Sequence, residues 1–258
     1  MIESPLSFVV RTELQKAAFD NGFRLDLGLD CGWLHYHSTT AQGDIWLAAL
    51  GKSGPWFLSI GRGEVAAEMA VAAIAEPLGP GSTTYAFVTL AELHEALDGT
   101  YRLGVSLPDA PLNEFLAATK NAPRTTEAER LVIQRVGQDI FRQALVRYWN
   151  GRCPITGITD PVLLRASHIV AWADCESDAL RLDVHNGLLL SALWDAAFDA
   201  GLISFDDTGQ PLRSPDLTPI AVSELKIDSV RALTLTESHR ANLARHRRKH
   251  GFAFAAAT

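Results

Sequence analysis

Long apolar runs are missing from this 258-residue chain. No stretch reaches the roughly 18 consecutive apolar residues that a membrane-spanning helix needs, so no membrane partner is expected. The opening MIESPLSFVV has no basic region ahead of a long apolar stretch and does not read as a secretory signal. Cysteine is scarce: Cys31, Cys153 and Cys175 are odd in number and widely spaced, with no C-x-x-C pair. That pattern excludes a disulfide framework, leaves no basis for a structural zinc site and points to a reducing cytoplasm. Internal repeats and low-complexity segments are absent. Net positive charge is absent too, with 23 Lys and Arg against 30 Asp and Glu. The deficit is uneven. Residues 1–100 carry 12 acidic and 5 basic side chains, whereas the remainder is balanced at 18 of each. The imbalance suggests two units with different partners.

Apolar residues make up 47% of the chain, ample material for one or two cores. The fold class reads as α+β. Residues 7–10 suggest a short strand and 11–21 a helix with Leu14, Ala17 and Ala18 on one face. Strand-like runs follow at 23–29, 33–38 and 45–50. Residues 63–76 have helical composition and 78–83 that of a loop. A short helix is expected at 89–99, capped by Thr89 with Glu92 and stopped by Gly99. The stretch 104–125 holds Pro108, Pro111 and Pro123 and reads as a linker between domains at 1–103 and 126–258. In the second domain Thr126 and Glu129 form a capping box for a helix running to about Trp149. Short strands and turns lead to a helix near 191–199, a strand at 202–205, a turn at 206–209 and a basic helix at 238–251.

Three polar residues of the second domain suit one chemistry. His168 ends the apolar run VLLRASHIV, Asn186 lies in VHNGLLL, and Asp195 lies on the helix SALWDAAFD, with Asp199 one turn later on the same face. Phosphodiester hydrolysis needs a base for the attacking water and a cation for the charge on the phosphate and the leaving oxygen. Histidine titrates near neutrality and can be that base. Carboxylates are hard oxygen ligands suited to magnesium.

Residues 153–206, CPITG…LLRASHIVAW…RLDVHNGLLLSALWDAAFDAGLISF, resemble the HNH endonuclease family, in the branch that opens with C-x-x-T-G and ends with N-G-L-x-L…F-D-x-G-L. The preceding VGQDIFRQALVRYWNGRC and the closing LARHRRKHGF resemble that branch's flanks, so the likeness covers about 125–252 and leaves out the first 100 residues. It implies a ββα-metal fold, with His168 as general base and Asn186 as the residue that orients it. It also implies a divalent cation on Asp195, with Asp199 as a further candidate ligand; Mg2+ is expected and Mn2+ is the alternative. The helical position held here by Asp195 is often His in the family, and many members carry Asp where Ser167 stands. The implied activity is metal-dependent hydrolysis of double-stranded DNA, in restriction of foreign DNA, modified DNA included. The alternative is a catalytically decayed DNA-binding or protein-interaction module. Double-strand cleavage would call for a homodimer.

Other residues complete the expectation. Arg245, Arg247, Arg248 and Lys249, with His246 and His250, form the densest positive cluster, and Arg152 and Arg165 flank the motif; these cations are expected at phosphates. His185 reads as a solvated loop residue, Cys153 as a small apolar one, and Asn186-Gly187 as a turn with positive φ. His35 and His37 alternate on one strand face with no third ligand evident, and read as structural. Gly51-Lys52-Ser53 lacks the upstream glycine of a phosphate-binding loop, Trp46 standing there instead. The first domain is expected either to read DNA, with Arg11, Lys16 and Arg24 as a local basic face, or to bind a regulator.

Overall fold

The computed structural model describes residues 2–4, 6–123 and 125–252. The chain divides into two compact units, Met1–Val105 and Ser106–Thr258.

The first unit opens with α1 (Phe8–Asp20), whose N-cap Ser7 accepts a hydrogen bond from the Val10 N–H. The stretch 7–10 is therefore the first helical turn and not a strand: a serine cap organises it. An antiparallel sheet follows in sequential order, β1 (Leu25–Asp30), β2 (Trp33–His37), β3 (Ile45–Ala49), β4 (Trp56–Ile60) and β5 (Thr83–Phe87). The last two strands exceed the sequence expectation. Every residue of β4 is buried, which erases the alternation that marks a half-buried strand. The helix expected at 63–76 shrinks to α2 (Gly63–Ala67). Beyond it the segment is largely exposed, and helical composition without a buried stripe does not sustain a helix. Helix α3 (Leu90–Ser106) begins at the expected cap, where Thr89 and Glu92 exchange hydrogen bonds. It runs through Gly99 and Gly104 instead of stopping. A Cβ at Gly104 would stand 3.1 Å from the Ala41 Cβ, so this glycine marks a close approach, not a helix end.

The second unit starts with α4 (Asp109–Thr119), in the stretch expected to be linker. Pro111 falls in its first turn, where an N–H has no intrahelical partner to lose, and Phe115 enters the core of this unit. Helix α5 (Glu127–Tyr148) begins at the expected capping box of Thr126 and Glu129. It packs on β6 (Leu164–His168) and β7 (Gly187–Ser191), an antiparallel pair in which His168 lies opposite Gly187. Between these strands come α6 (Asp178–Leu182) and a 3-10 turn at Val184–Asn186. Helix α7 (Ala192–Asp199) follows β7 directly and packs on both strands. The strands β8 (Ile203–Phe205) and β9 (Pro211–Arg213) form a second small sheet. After α8 (Pro219–Leu225), helix α9 (Glu237–Lys249) packs against β8 and the Val184–Asn186 turn. One core joins Phe141 and Leu145 of α5 to Leu188, Trp194, Phe198 and Leu243. Gly187 has φ −149°, so it is extended and not the expected positive-φ turn residue. Its lack of a side chain is used for space: a Cβ would stand 2.5 Å from Cζ of Phe141. Both units are mixed α+β, and no helix among the described residues is long and apolar enough to cross a membrane.

Candidate active site

The site is built on β6, β7 and α7. His168 ends β6 and is largely enclosed. Its ring stacks on Phe141 at 3.8 Å between centroids and 19° between planes, and Trp172 meets it edge-on at 5.5 Å. Nε2 lies 2.9 Å from the carbonyl oxygen of Arg181. A carbonyl only accepts, so Nε2 carries the proton and Nδ1 keeps the lone pair. Burial holds the pKa of this imidazole below its ordinary value, outweighing the opposite pulls of the Arg181 carbonyl and of Asp199. The ring is thereby neutral and basic at Nδ1 near neutral pH.

Asn186 is fully buried and its side chain makes no hydrogen bond to His168; it bonds the backbone that follows that residue. Its Oδ1 accepts from the Val170 N–H at 2.8 Å, and its Nδ2 donates to the carbonyls of Val170 and Leu180, both at 3.1 Å. Its own carbonyl accepts from the Ile169 N–H at 2.9 Å. One side chain thus ties the chain leaving His168 to the segment whose next residue, Arg181, accepts the His168 proton.

Asp195 and Asp199 lie one turn apart on α7, and Ser167 of β6 stands between them. The Ser167 hydroxyl donates to Oδ1 of Asp199 at 3.3 Å and also lies near Asp195. Burial and the neighbouring Asp199 raise the pKa of Asp195, against the pull of Ser167 and Arg165. A cation would relieve that unfavourable pairing of charge. Two hard carboxylates fit an ion of the magnesium type, which keeps part of its water shell. They do not make a closed cage: among the described residues no group of three His, Cys, Asp or Glu side chains is arranged to hold a metal ion.

His168 at the end of β6 and the two carboxylates of α7 are carried by one strand–strand–helix unit. Residues 153–206 match the family model described as HNH endonuclease. These residues are an HNH endonuclease domain. The match stops short of α5 and α9, and no curated protein matches the chain. The family implies nuclease activity and a DNA substrate, and its members generally use divalent metal ions.

Around the HNH domain the basic residues separate into distinct roles. Arg247 is buried, donating to the Phe205 carbonyl and pairing with Asp207, both at 2.7 Å. It anchors α9 and is not presented to a ligand, which corrects the expectation that it meets phosphate. Arg245 pairs with Glu176 at 2.8 Å and Lys249 with Asp174 at 2.7 Å. Arg248 is exposed. Arg152 and Arg165 are exposed as well, bonded to nearby backbone carbonyls. His246 is buried too, stacked on Phe198 and bonded to Ser204.

His185 is buried rather than solvated. Its Nδ1 lies 2.9 Å from Asp183, and its ring meets Tyr148 and His239 edge-on. Cys153 is a core residue, as expected. In the first unit, His35 and His37 both face Asp44, at 3.1 and 2.6 Å, and His35 stacks on Trp46. Sequence reasoning missed Asp44, which lies in the loop before β3. It also missed Phe141, Trp172 and the Arg181 carbonyl around His168; a backbone acceptor leaves no signal in residue type.

Proposed function

We propose that the protein is a divalent-metal-dependent endonuclease that hydrolyses DNA phosphodiester bonds, with Mg2+ as the ion and Mn2+ as the alternative. One observation carries this reading: His168 is held with Nε2 protonated and Nδ1 free to take a proton, on the domain that bears Asp195 and Asp199. In the proposed reaction Nδ1 removes a proton from the attacking water. Asn186 keeps the base in place, and Phe141 and Trp172 restrict its tilt. The cation held by Asp195 and Asp199 would supply charge neutralisation at the phosphate and the leaving oxygen. A supercoiled-plasmid assay with Mg2+ or Mn2+ tests it. Nicking by wild type and none by His168→Ala is the expected result; equal activity in both would remove His168 from the mechanism.

A second reading, a decayed DNA-binding module, is favoured by Ser167 at a position where an acid would complete a three-ligand site. Wild-type protein that binds duplex DNA but cuts it with neither metal would establish that reading instead.

Restriction of foreign DNA, modified DNA included, is the proposed biological role, in the cytoplasm, where the exposed thiol of Cys31 stays reduced. The support is the two-unit architecture, with the acidic first unit as a reader or a regulator. Deleting residues 1–105 separates these: lost DNA affinity marks a reader, and retained or raised cleavage marks a regulator. Double-strand cutting would need two HNH domains, hence a homodimer, and sedimentation with DNA reports it.

A further inference from the structure

Ser191 joins β7 to α7 and is 5% exposed. It occupies the N-cap position, yet its hydroxyl makes no hydrogen bond to the helix and none to any other described side chain. It lines a groove of about 910 Å3, bounded by the Cys153–Ile158 loop, the start of α7 and the segment 224–231. Ile155, Leu163, Leu193 and Val230 give the groove an apolar lining, and Leu193 is 55% exposed. Three cations, Arg152, Lys226 and Arg231, stand at its rim against one carboxylate, Glu224, and none of the three forms an ion pair among the described residues. Ala192, also in the lining, shares a face of α7 with Asp195 and Asp199, three and seven residues on.

These features have complementary demands. Uncapped helix N–H groups, a free hydroxyl on an otherwise buried serine and excess positive charge suit a phosphate. An apolar wall beside them suits the face of a base. Within a duplex that face is hidden in the stack, so only an unpaired or extruded base can reach the wall. The rise from Ala192 to Asp195 is about 5 Å along the helix, so neighbouring nucleotides of one strand can reach the groove and the carboxylates together.

We infer that this groove holds an unpaired nucleotide of the DNA strand next to the scissile phosphate, its phosphate at Ser191 and the α7 N-terminus and its base on Leu193. The inference rests on the nuclease reading and adds a preference for DNA with a locally opened strand. The test uses full-length His168→Ala protein and fluorescence anisotropy with two probes, a blunt duplex and the same duplex with a tail of unpaired thymidines. The tail is expected to tighten binding about tenfold, within the range that one stacked base contributes. Leu193→Asp and Arg231→Ala, both at exposed positions, are each expected to remove that gain and to leave blunt-duplex binding unchanged. Equal affinity for the two probes, or a gain that survives both substitutions, overturns the groove while wild-type cleavage of the blunt duplex still supports the nuclease. Wild-type protein that neither binds nor cuts either DNA overturns both.

Discussion

The Nε2 nitrogen of His168 donates its proton to the carbonyl oxygen of Arg181, thirteen residues further along the chain, at 2.9 Å. The contact selects one tautomer, and with it the atom that can act as base. His168→Ala should lower cleavage by about 10^2- to 10^4-fold, the usual contribution of a general base. The pH profile should carry the same signature. The base must be neutral, and burial holds its pKa below 6.5, so the acid limb of log kcat should lie below that pH. A limb centred at or above 6.5 would contradict the assignment.

Asn186 makes three side-chain hydrogen bonds to backbone groups from a fully buried position. Asn186→Ala should cost about 3 kcal/mol, because buried donors and acceptors lose their partners together. Urea unfolding measures the loss. Cleavage at a temperature where the variant is still folded should also fall, since the chain that follows the base loosens.

Asp195 and Asp199 repel each other where burial already disfavours charge. Asp195→Asn should therefore leave thermal stability intact in EDTA while raising the Mg2+ concentration for half-maximal cleavage at least about tenfold, through loss of a hard ligand. Metal titration of cleavage, paired with thermal melts, separates the two effects. Chelation should silence the wild type, and added Mg2+ or Mn2+ should restore it.

These residues differ in how far the sequence disclosed them. The HNH motif and the Thr126–Glu129 cap are legible because each relies on residue type at a fixed spacing. β4 was hidden because Ser59 interrupts its apolar run, whereas β3, equally buried, is apolar throughout. Helix α4 was hidden because Pro111 looks like a break, although its place in the first turn makes it harmless. Gly104 and Gly187 look like punctuation, yet they are spaces that neighbouring elements fill. The surroundings of His168 depend on Phe141 and Trp172, whose meeting at the ring is a product of tertiary packing. The division of the basic cluster into buried and exposed members depends on the rotation of α9, which its run of charges does not reveal.

That division gives a contrast. Arg247→Ala should destabilise the fold by about 3 kcal/mol, through loss of packing and of hydrogen bonds to the Phe205 carbonyl and Asp207. Arg248→Ala should leave stability within about 0.5 kcal/mol and weaken DNA binding, with the salt slope falling by about one. Denaturant melts and salt-dependent anisotropy on the two variants check both.

Two buried histidines predict sensitivity to acid. Burial holds the pKa of His239 at about 3 and that of His246 at about 4. Between pH 6.5 and those values the unfolded chain binds protons that the folded one does not, so stability falls as pH falls. Each histidine contributes about 1.4 kcal/mol per pH unit in that window. Urea midpoints at pH 7 and pH 5 should differ accordingly, and His246→Gln should reduce the difference.

The ion pairs Arg245–Glu176 and Lys249–Asp174 link α9 to the segment just beyond the base. A DNA phosphate that reaches either cation arrives in exchange for a resident carboxylate, not at a vacant charge. A duplex seated on α9 would loosen the ends of Asp174 and Glu176, while the chain around Trp172 stays tied to Arg181 and Asn186.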